Sequence, residues 1–262
     1  MNVNYGSSVP ISTVDWHGKV SIVFFLRGCP YRCPYCQNHE LLFESNMVDA
    51  SVLEAEMKKS RPFVSSVVLS GGEPLMQKDA VKQLARFAKK IDLLVGIHTN
   101  GYYPHVMAEF MEEGLVDKFF IDVKAPLDDA ESYAKAIGCK DYTDIHIESQ
   151  VAMEKVAESI NLVLEKGVAL ELRTTIIRNF MGSSDDVLNI ARSINQVTGK
   201  RDVGYVLQQG FADKAMLESL RDIKPLSRDE LLELAYVAHE FLDNIYVRSK
   251  EKGNEKVNFE PV

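Results

Sequence analysis

Val20-Ser21-Ile22-Val23-Phe24-Phe25-Leu26-Arg27-Gly28-Cys29-Pro30-Tyr31-Arg32-Cys33-Pro34-Tyr35-Cys36-Gln37-Asn38 starts as a dense apolar, β-branched run and breaks into a loop carrying three cysteines within eight residues. The first part reads as a buried strand. Pro30 and Pro34 forbid a regular helix after it, so the thiols sit on a tight loop able to wrap one small object. Similar strand-like runs recur at Val67–Leu69, Leu93–Ile97, Phe119–Val123, Leu170–Ile177 and Gly204–Leu207, with a shorter one at Ile245–Val247. Between them lie stretches of helical spacing at Ser51–Lys59, Asp79–Lys90, Tyr103–Glu113 and Ser149–Lys166. The last of these places Val156, Ile160, Val163 and Leu164 on one face and stops at Gly167. Ser227 and Glu230 form a capping box before a final helix expected to end near Leu242.

Strands that alternate with helices imply βαβ crossovers and a parallel sheet, hence an α/β fold. Six main repeats over about 230 residues suit a partial (β/α)6 barrel, with doubly wound order as the alternative. No repeat, low-complexity segment or Pro/Gly/Ser-rich linker divides the chain. Residues 1–248 are therefore expected to form one domain, and the polar stretch 249–262 a loosely ordered tail.

Composition narrows the function classes. The chain has 262 residues, of which 46% are hydrophobic and 26% charged, enough apolar material for a sizeable core. A formal charge of −8 argues against a broad nucleic-acid footprint. The run Ile22–Leu26 is too short to span a bilayer, and Met1-Asn2-Val3-Asn4 does not begin like a signal peptide. A cytoplasmic protein without membrane or nucleic-acid partners is expected. Four cysteines are too few to staple a chain of this size. Free thiols clustered in a reducing compartment point instead to metal or redox chemistry.

In parallel α/β folds the working residues lie where strands end. Those ends read Arg27-Gly28-Cys29, Ser70-Gly71-Gly72-Glu73-Pro74, His98-Thr99-Asn100-Gly101, Asp122-Val123-Lys124, Arg173-Thr174-Thr175 and Gln208-Gln209. Turn chemistry accounts for Gly71-Gly72 and Asn100-Gly101, but poorly for Asp122 and Lys124, which interrupt or follow a buried-looking run. Thiolates are soft ligands that select zinc or iron–sulfur. A structural zinc wants four protein ligands, usually as paired Cys-x2-Cys halves, and only three thiols cluster here. A [4Fe–4S] cluster normally takes four cysteines, so three would leave one iron open to a cofactor or substrate.

Cys-x3-Cys-x2-Cys with an aromatic residue before the last cysteine resembles the motif of the radical S-adenosylmethionine (SAM) superfamily. Ser70-Gly71-Gly72-Glu73-Pro74 resembles its Gly-Gly-Glu segment, with Gly71 standing 35 positions after Cys36. Ser12-Thr13-Val14-Asp15-Trp16-His17-Gly18-Lys19, Phe24-Phe25-Leu26-Arg27-Gly28-Cys29, Thr99-Asn100-Gly101, Asp122-Val123-Lys124 and Lys224-Pro225-Leu226-Ser227 are similar to segments of glycyl-radical-enzyme activases. Among these the chain looks most like the activating proteins of anaerobic ribonucleoside-triphosphate reductase. It departs from the group at His98, where some activases carry an Asp that helps hold a monovalent cation. It also lacks the cysteine-rich insert that others use for further clusters; only Cys139 is left over, which makes a second cluster implausible.

The resemblance implies that Cys29, Cys33 and Cys36 hold three irons of one [4Fe–4S] cluster, the fourth being chelated by the amino and carboxylate groups of SAM. One electron then splits SAM into methionine and a 5′-deoxyadenosyl radical, which abstracts hydrogen from the target, an oxidoreductase chemistry that belongs to the cofactors. By the same analogy the backbone near Tyr35 meets adenine, and Gly71 and Gly72 let the chain approach SAM's methionine end while Glu73 anchors their loop. Asp122 faces the α-ammonium, Lys124 and Arg173 the α-carboxylate, and Asn100 the ribose. The alternative reading makes Lys124 and Arg173 solvated charges at strand ends, and Glu73 a cap of the helix that follows. No role is expected for Cys139, His17, His39, His105, His146 or His239. The implied partners are a glycyl-radical enzyme, in the first place anaerobic ribonucleotide reductase, and a flavodoxin- or ferredoxin-type electron donor. A radical SAM enzyme acting on a small molecule or another peptide is the alternative. A non-catalytic metal-binding module would leave Glu73, Asp122 and Lys124 without a purpose.

Overall fold

A computed structural model describes residues 1–139 and 147–259; residues 140–146, with His146, and 260–262 lie outside it. In chain order the elements are β1 (Asn2–Ser12), β2 (Ser21–Leu26), β3 (Met47–Asp49), α1 (Ala50–Ser60), β4 (Ser66–Gly71), α2 (Lys78–Lys90), β5 (Leu94–Thr99), α3 (Pro104–Glu112), β6 (Lys118–Asp122) and α4 (Ala130–Ile137). They continue with α5 (Ser149–Lys166), β7 (Ala169–Ile176), α6 (Ser184–Thr198), β8 (Tyr205–Gln209), α7 (Arg228–Ala238), β9 (Ile245–Ser249) and β10 (Gly253–Lys256). Among the described residues no helix is long and apolar enough to cross a membrane.

All strands join one sheet in the order β10-β9-β8-β7-β6-β5-β4-β2-β1-β3. The seven from β2 to β9 in that order run parallel, while β1, β3 and β10 pair antiparallel at the edges. The parallel strands are laid down in sequence with no reversal, which removes the doubly wound alternative. Phe25 of β2 and Arg248 of β9 line one cavity although their strands are six positions apart. A flat sheet would separate them by roughly 29 Å, at ~4.8 Å per strand. The sheet must therefore curl into a partial barrel.

Its two faces bury different things. Ile22, Phe24, Leu69, Ile97, Phe119, Ile121 and other alternate residues join the helices in the main core. Each such fully buried side chain contributes roughly 1.5–3 kcal/mol. Val23, Val68 and Phe120, on the opposite face, pack with Trp16 in a separate small core. Trp16 comes from the segment between β1 and β2, and Gly96 of β5 leaves room for it: a Cβ there would stand 2.9 Å from the indole.

Several elements escaped the hydrophobic pattern. β1 is rich in Asn and Ser, with only Val3 and Ser12 buried, and is held by pairing with β2 and β3. α6 starts at a Ser183–Asp186 capping box, and α4 at the Asp129 cap. Residues 249–257 of the stretch expected to be a loose tail are instead tied down. β10 pairs with β9, and Val257 is buried with its N–H donated to the Ile245 carbonyl at 3.0 Å. Its polar side chains hid an edge strand held by main-chain bonds. The last helix stops at Ala238, short of Leu242, and its Ser227–Glu230 capping box is present as read.

Candidate active site

The β2 strand delivers the three thiols to a cavity of about 470 Å³, lined also by the ends of the neighbouring strands. Main-chain bonds shape their loop from several sides. Cys36 N–H donates to the Cys33 carbonyl (2.9 Å), Arg32 N–H to the Ile137 carbonyl (3.0 Å) and Leu217 N–H to the Pro34 carbonyl (2.9 Å). Burial pushes the Cys29 and Cys36 thiols upward, and Cys33 up to about 12 against the pull of Lys124. Thiols left alone here would stay protonated, whereas a coordinated metal deprotonates them outright. Among the described residues no three His, Cys, Asp or Glu side chains converge as ligands of a single ion. A cluster takes one thiolate per iron and needs no such convergence, so the donor set fits an iron–sulfur cluster.

The loop after β4 is latched to the cysteine loop. Gly72 N–H donates to the Leu26 carbonyl (2.9 Å) and Glu73 N–H to the Gly28 carbonyl (2.8 Å). A Cβ at Gly71 would stand 2.3 Å from Leu26 N and O, and one at Gly72 only 2.1 Å from Gly28 O. The glycines were expected to make room for a ligand. The space they leave is already filled by this chain's own backbone, so the need for glycine arises within the protein.

Glu73 is fully buried and accepts from Leu75 N–H (3.0 Å), Thr99 Oγ1 (2.9 Å) and Asn100 N–H (2.7 Å). It both caps the turn that follows and ties the end of β4 to the end of β5. Burial pushes its carboxyl up to about 7 despite these three donors. Asn100, expected near a ribose, turns its amide toward Cys29 Sγ (3.7 Å) and accepts from Tyr102 N–H (3.0 Å).

Asp122 and Lys124 project from the end of β6 and form an ion pair at 3.2 Å. Lys124 is largely buried, with its ammonium 5.9 Å from the centre of the Tyr35 ring. Burial works against that charge. Tyr35, Asp122, Cys33 and Cys29 offset it and hold Lys124 well above the ordinary lysine range. It is thus a retained buried cation, not a solvated one.

Arg173 lies deeper and is only 4% exposed. Its Nε donates to Glu171 (2.7 Å), its Nη2 to the Asp15 carbonyl (3.1 Å), and its Nη1 stands 3.0 Å from His98 Nε2. Glu171 also pairs with Lys118 (2.7 Å) and Arg248 (3.3 Å). Burial raises the Glu171 carboxyl, but these cations outweigh it and hold it at about 2. Burial and the neighbouring Arg173 push Arg248 down to about 10. His98 is kept well below the ordinary imidazole range by burial and by Arg173. Arg173 therefore belongs first to a polar layer under the cavity. Sequence reasoning missed Arg248 and Glu171 in this layer, since nothing but the β7–β9 register brings them together. Cys139 stands apart, its thiol donating to the Ile147 carbonyl at 3.1 Å.

Comparison with known proteins identifies the family. The radical SAM superfamily pattern matches residues 23–198, from the first parallel strand through α6. A putative glycyl-radical enzyme activating enzyme of Methanocaldococcus jannaschii is 32% identical over 241 residues, covering 92% of this chain and 94% of the relative. A pyruvate formate-lyase-activating enzyme of Clostridium pasteurianum is 25% identical, covering 88% and 94%. Among solved structures, a radical SAM methyltransferase from Sphaerobacter thermophilus superposes with a TM-score of 0.66 at 13% identity, over 89% of this chain and 67% of the other. At that identity the likeness speaks for the fold alone. With its cysteine loop, its Gly-Gly-Glu latch and its curled parallel sheet, the chain belongs to the radical SAM superfamily and is homologous to glycyl-radical-enzyme activating enzymes.

Proposed function

We propose that the protein installs a glycyl radical on a partner enzyme, and that this partner is an anaerobic ribonucleoside-triphosphate reductase. The observation that carries the activase reading is the near full-length relationship to an activating enzyme, combined with three thiols lining one cavity, Cys33 buried and Cys29 and Cys36 partly so. The choice of reductase rests on the segments 12–19 and 224–227 and on the absence of a cysteine-rich insert. When bound, a [4Fe–4S] cluster on Cys29, Cys33 and Cys36 supplies one electron and SAM supplies the 5′-deoxyadenosyl group that abstracts hydrogen.

The chain's own residues do the rest. Lys124 offers a buried ammonium to the α-carboxylate of SAM, and Asp122 beside it a carboxylate to the α-ammonium. Gly71, Gly72 and Glu73 hold the cysteine loop in place, and Asn100 directs an amide at Cys29. Tyr35, 7% exposed, gives the adenine a wall that excludes water. Arg173 is a second candidate for the carboxylate, reached only by giving up a present partner. A glycine target suits such a cavity because no side chain blocks approach to its Cα. The electron donor is a flavodoxin- or ferredoxin-type protein.

The test is anaerobic incubation of iron-loaded, reduced protein with SAM and, separately, with an anaerobic ribonucleotide reductase and a pyruvate formate-lyase. The reductase should give 5′-deoxyadenosine and a glycyl-radical doublet in the EPR spectrum. A doublet on the lyase alone overturns the choice of partner. SAM cleavage with no protein radical on either overturns the activase reading.

A further inference from the structure

Tyr31, in the cysteine loop, and Tyr133, on α4, are 1% and 0% exposed, and neither phenol oxygen has a hydrogen-bond partner in the described structure. Buried hydroxyls are almost always paired, because one left unpaired carries its full desolvation penalty. Tyr31 lines the same cavity as Cys29, Cys33 and Cys36. Tyr133 lies behind that lining, on a helix clamped to the cysteine loop. Arg32 N–H donates to the Ile137 carbonyl, and Gly138 at the end of α4 lies so close under the loop that a Cβ would stand 2.1 Å from Arg32 O. Burial pushes both phenols above the ordinary tyrosine range. Two buried hydroxyls without acceptors therefore sit at the cysteine loop, Tyr31 on it and Tyr133 on the helix clamped against it.

We propose that Tyr31 and Tyr133 donate hydrogen bonds to sulfur atoms of a cluster held by Cys29, Cys33 and Cys36, and so set its reduction potential. The assignment rests on the cluster reading given above. Thiolate and sulfide sulfurs accept hydrogen bonds, and such bonds are one of the levers on cluster potential. The reduced cluster carries one more negative charge, so each donor stabilises it over the oxidised form and raises the potential. Tyr31 and Tyr133 are positioning and tuning residues, not catalytic ones. Phenylalanine at either place keeps the ring and removes only the hydroxyl.

The experiment is an anaerobic redox titration of the iron-loaded protein, read by the EPR signal of the reduced cluster, for wild type, Tyr31→Phe, Tyr133→Phe and the double variant. At a fixed applied potential the reduced-to-oxidised ratio should fall about threefold in each single variant and about tenfold in the double. For one electron a tenfold change is ~59 mV toward more negative potential. Iron and sulfide content should stay at the wild-type level. Resonance Raman Fe–S frequencies should shift in D2O for wild type and shift less in the double variant. If Tyr31→Phe fails to hold iron, Tyr133→Phe decides by itself, since it lies outside the cysteine loop. An intact cluster with unmoved potential and an unchanged D2O shift overturns the assignment and hands the hydroxyls to buried water. Wild-type protein that binds no iron overturns the cluster reading, and this assignment with it.

Discussion

Replacing Glu73 with Ala tests whether this side chain is structural in its own right. The carboxylate accepts from two backbone N–H groups and one hydroxyl, at 3.0, 2.9 and 2.7 Å, in a fully buried place. The truncation would leave three buried donors without acceptors, each costing ~1–3 kcal/mol. Relaxation and a water entering the gap reduce the sum, so a loss of about 3–5 kcal/mol is expected. For a chain of this size that lowers Tm by roughly 6–20 °C, at ~2–4 °C per kcal/mol. The assay is urea unfolding of the cluster-free protein at pH 8, above the value of about 7 to which burial raises this carboxyl, so that loss of iron cannot mimic the effect. Thr99→Val removes one of the three donors. In a double-mutant cycle with Glu73→Ala it should show a coupling of ~0.5–3 kcal/mol. A Glu73→Ala protein within about 0.5 kcal/mol of wild type, the size of an indifferent surface change, would refute the latch.

Gly72→Ala should destabilise the cluster-free protein by more than ~1 kcal/mol in the same assay, because the new methyl group meets the Gly28 carbonyl, a piece of backbone that cannot swing away. The ion-pair layer gives a pH signature. Glu171, held at about 2, stays ionised where the unfolded chain already takes up protons, so its contribution is present above the ordinary carboxyl value of 4.5 and lost as pH falls from there toward 2. The shift corresponds to about 3 kcal/mol, and Glu171→Gln should flatten that acid limb of the stability curve. Trp16 is the single tryptophan and is 7% exposed, so its emission should move to longer wavelength on unfolding; Trp16→Ala should cost ~3–5 kcal/mol by chemical denaturation. Cys33→Ala should abolish iron binding while Cys139→Ala leaves it intact, as iron and sulfide analysis would show. Lys124→Ala should weaken SAM binding by ~1.5–3 kcal/mol in equilibrium dialysis, with iron content unchanged.

The parallel strands were legible because they are buried on both faces or carry dense apolar runs, and the helices between them because one face repeats every three to four residues. Local chemistry also reached the cysteine loop, where three thiols and two prolines within eight residues exclude an ordinary core segment. The edges were not legible: β1 and β10 bury few side chains and exist because main-chain groups of β2 and β9 face them. A hydrogen bond between backbones leaves no mark on side-chain pattern. The reason for Gly71 and Gly72 was equally hidden, since the obstacle is the backbone of Leu26 and Gly28, more than 40 residues away along the chain. Tertiary structure also decided which charges are partners. Lys118, Glu171, Arg173 and Arg248 are ordinary polar residues of three short runs until strand register stacks them beneath one cavity. What the sequence determined by itself is what short-range chemistry can specify: periodicity, turns and the ligand cluster. What required the fold is everything set by contact between segments distant in the chain, because burial and pairing there depend on where the sheet brings them.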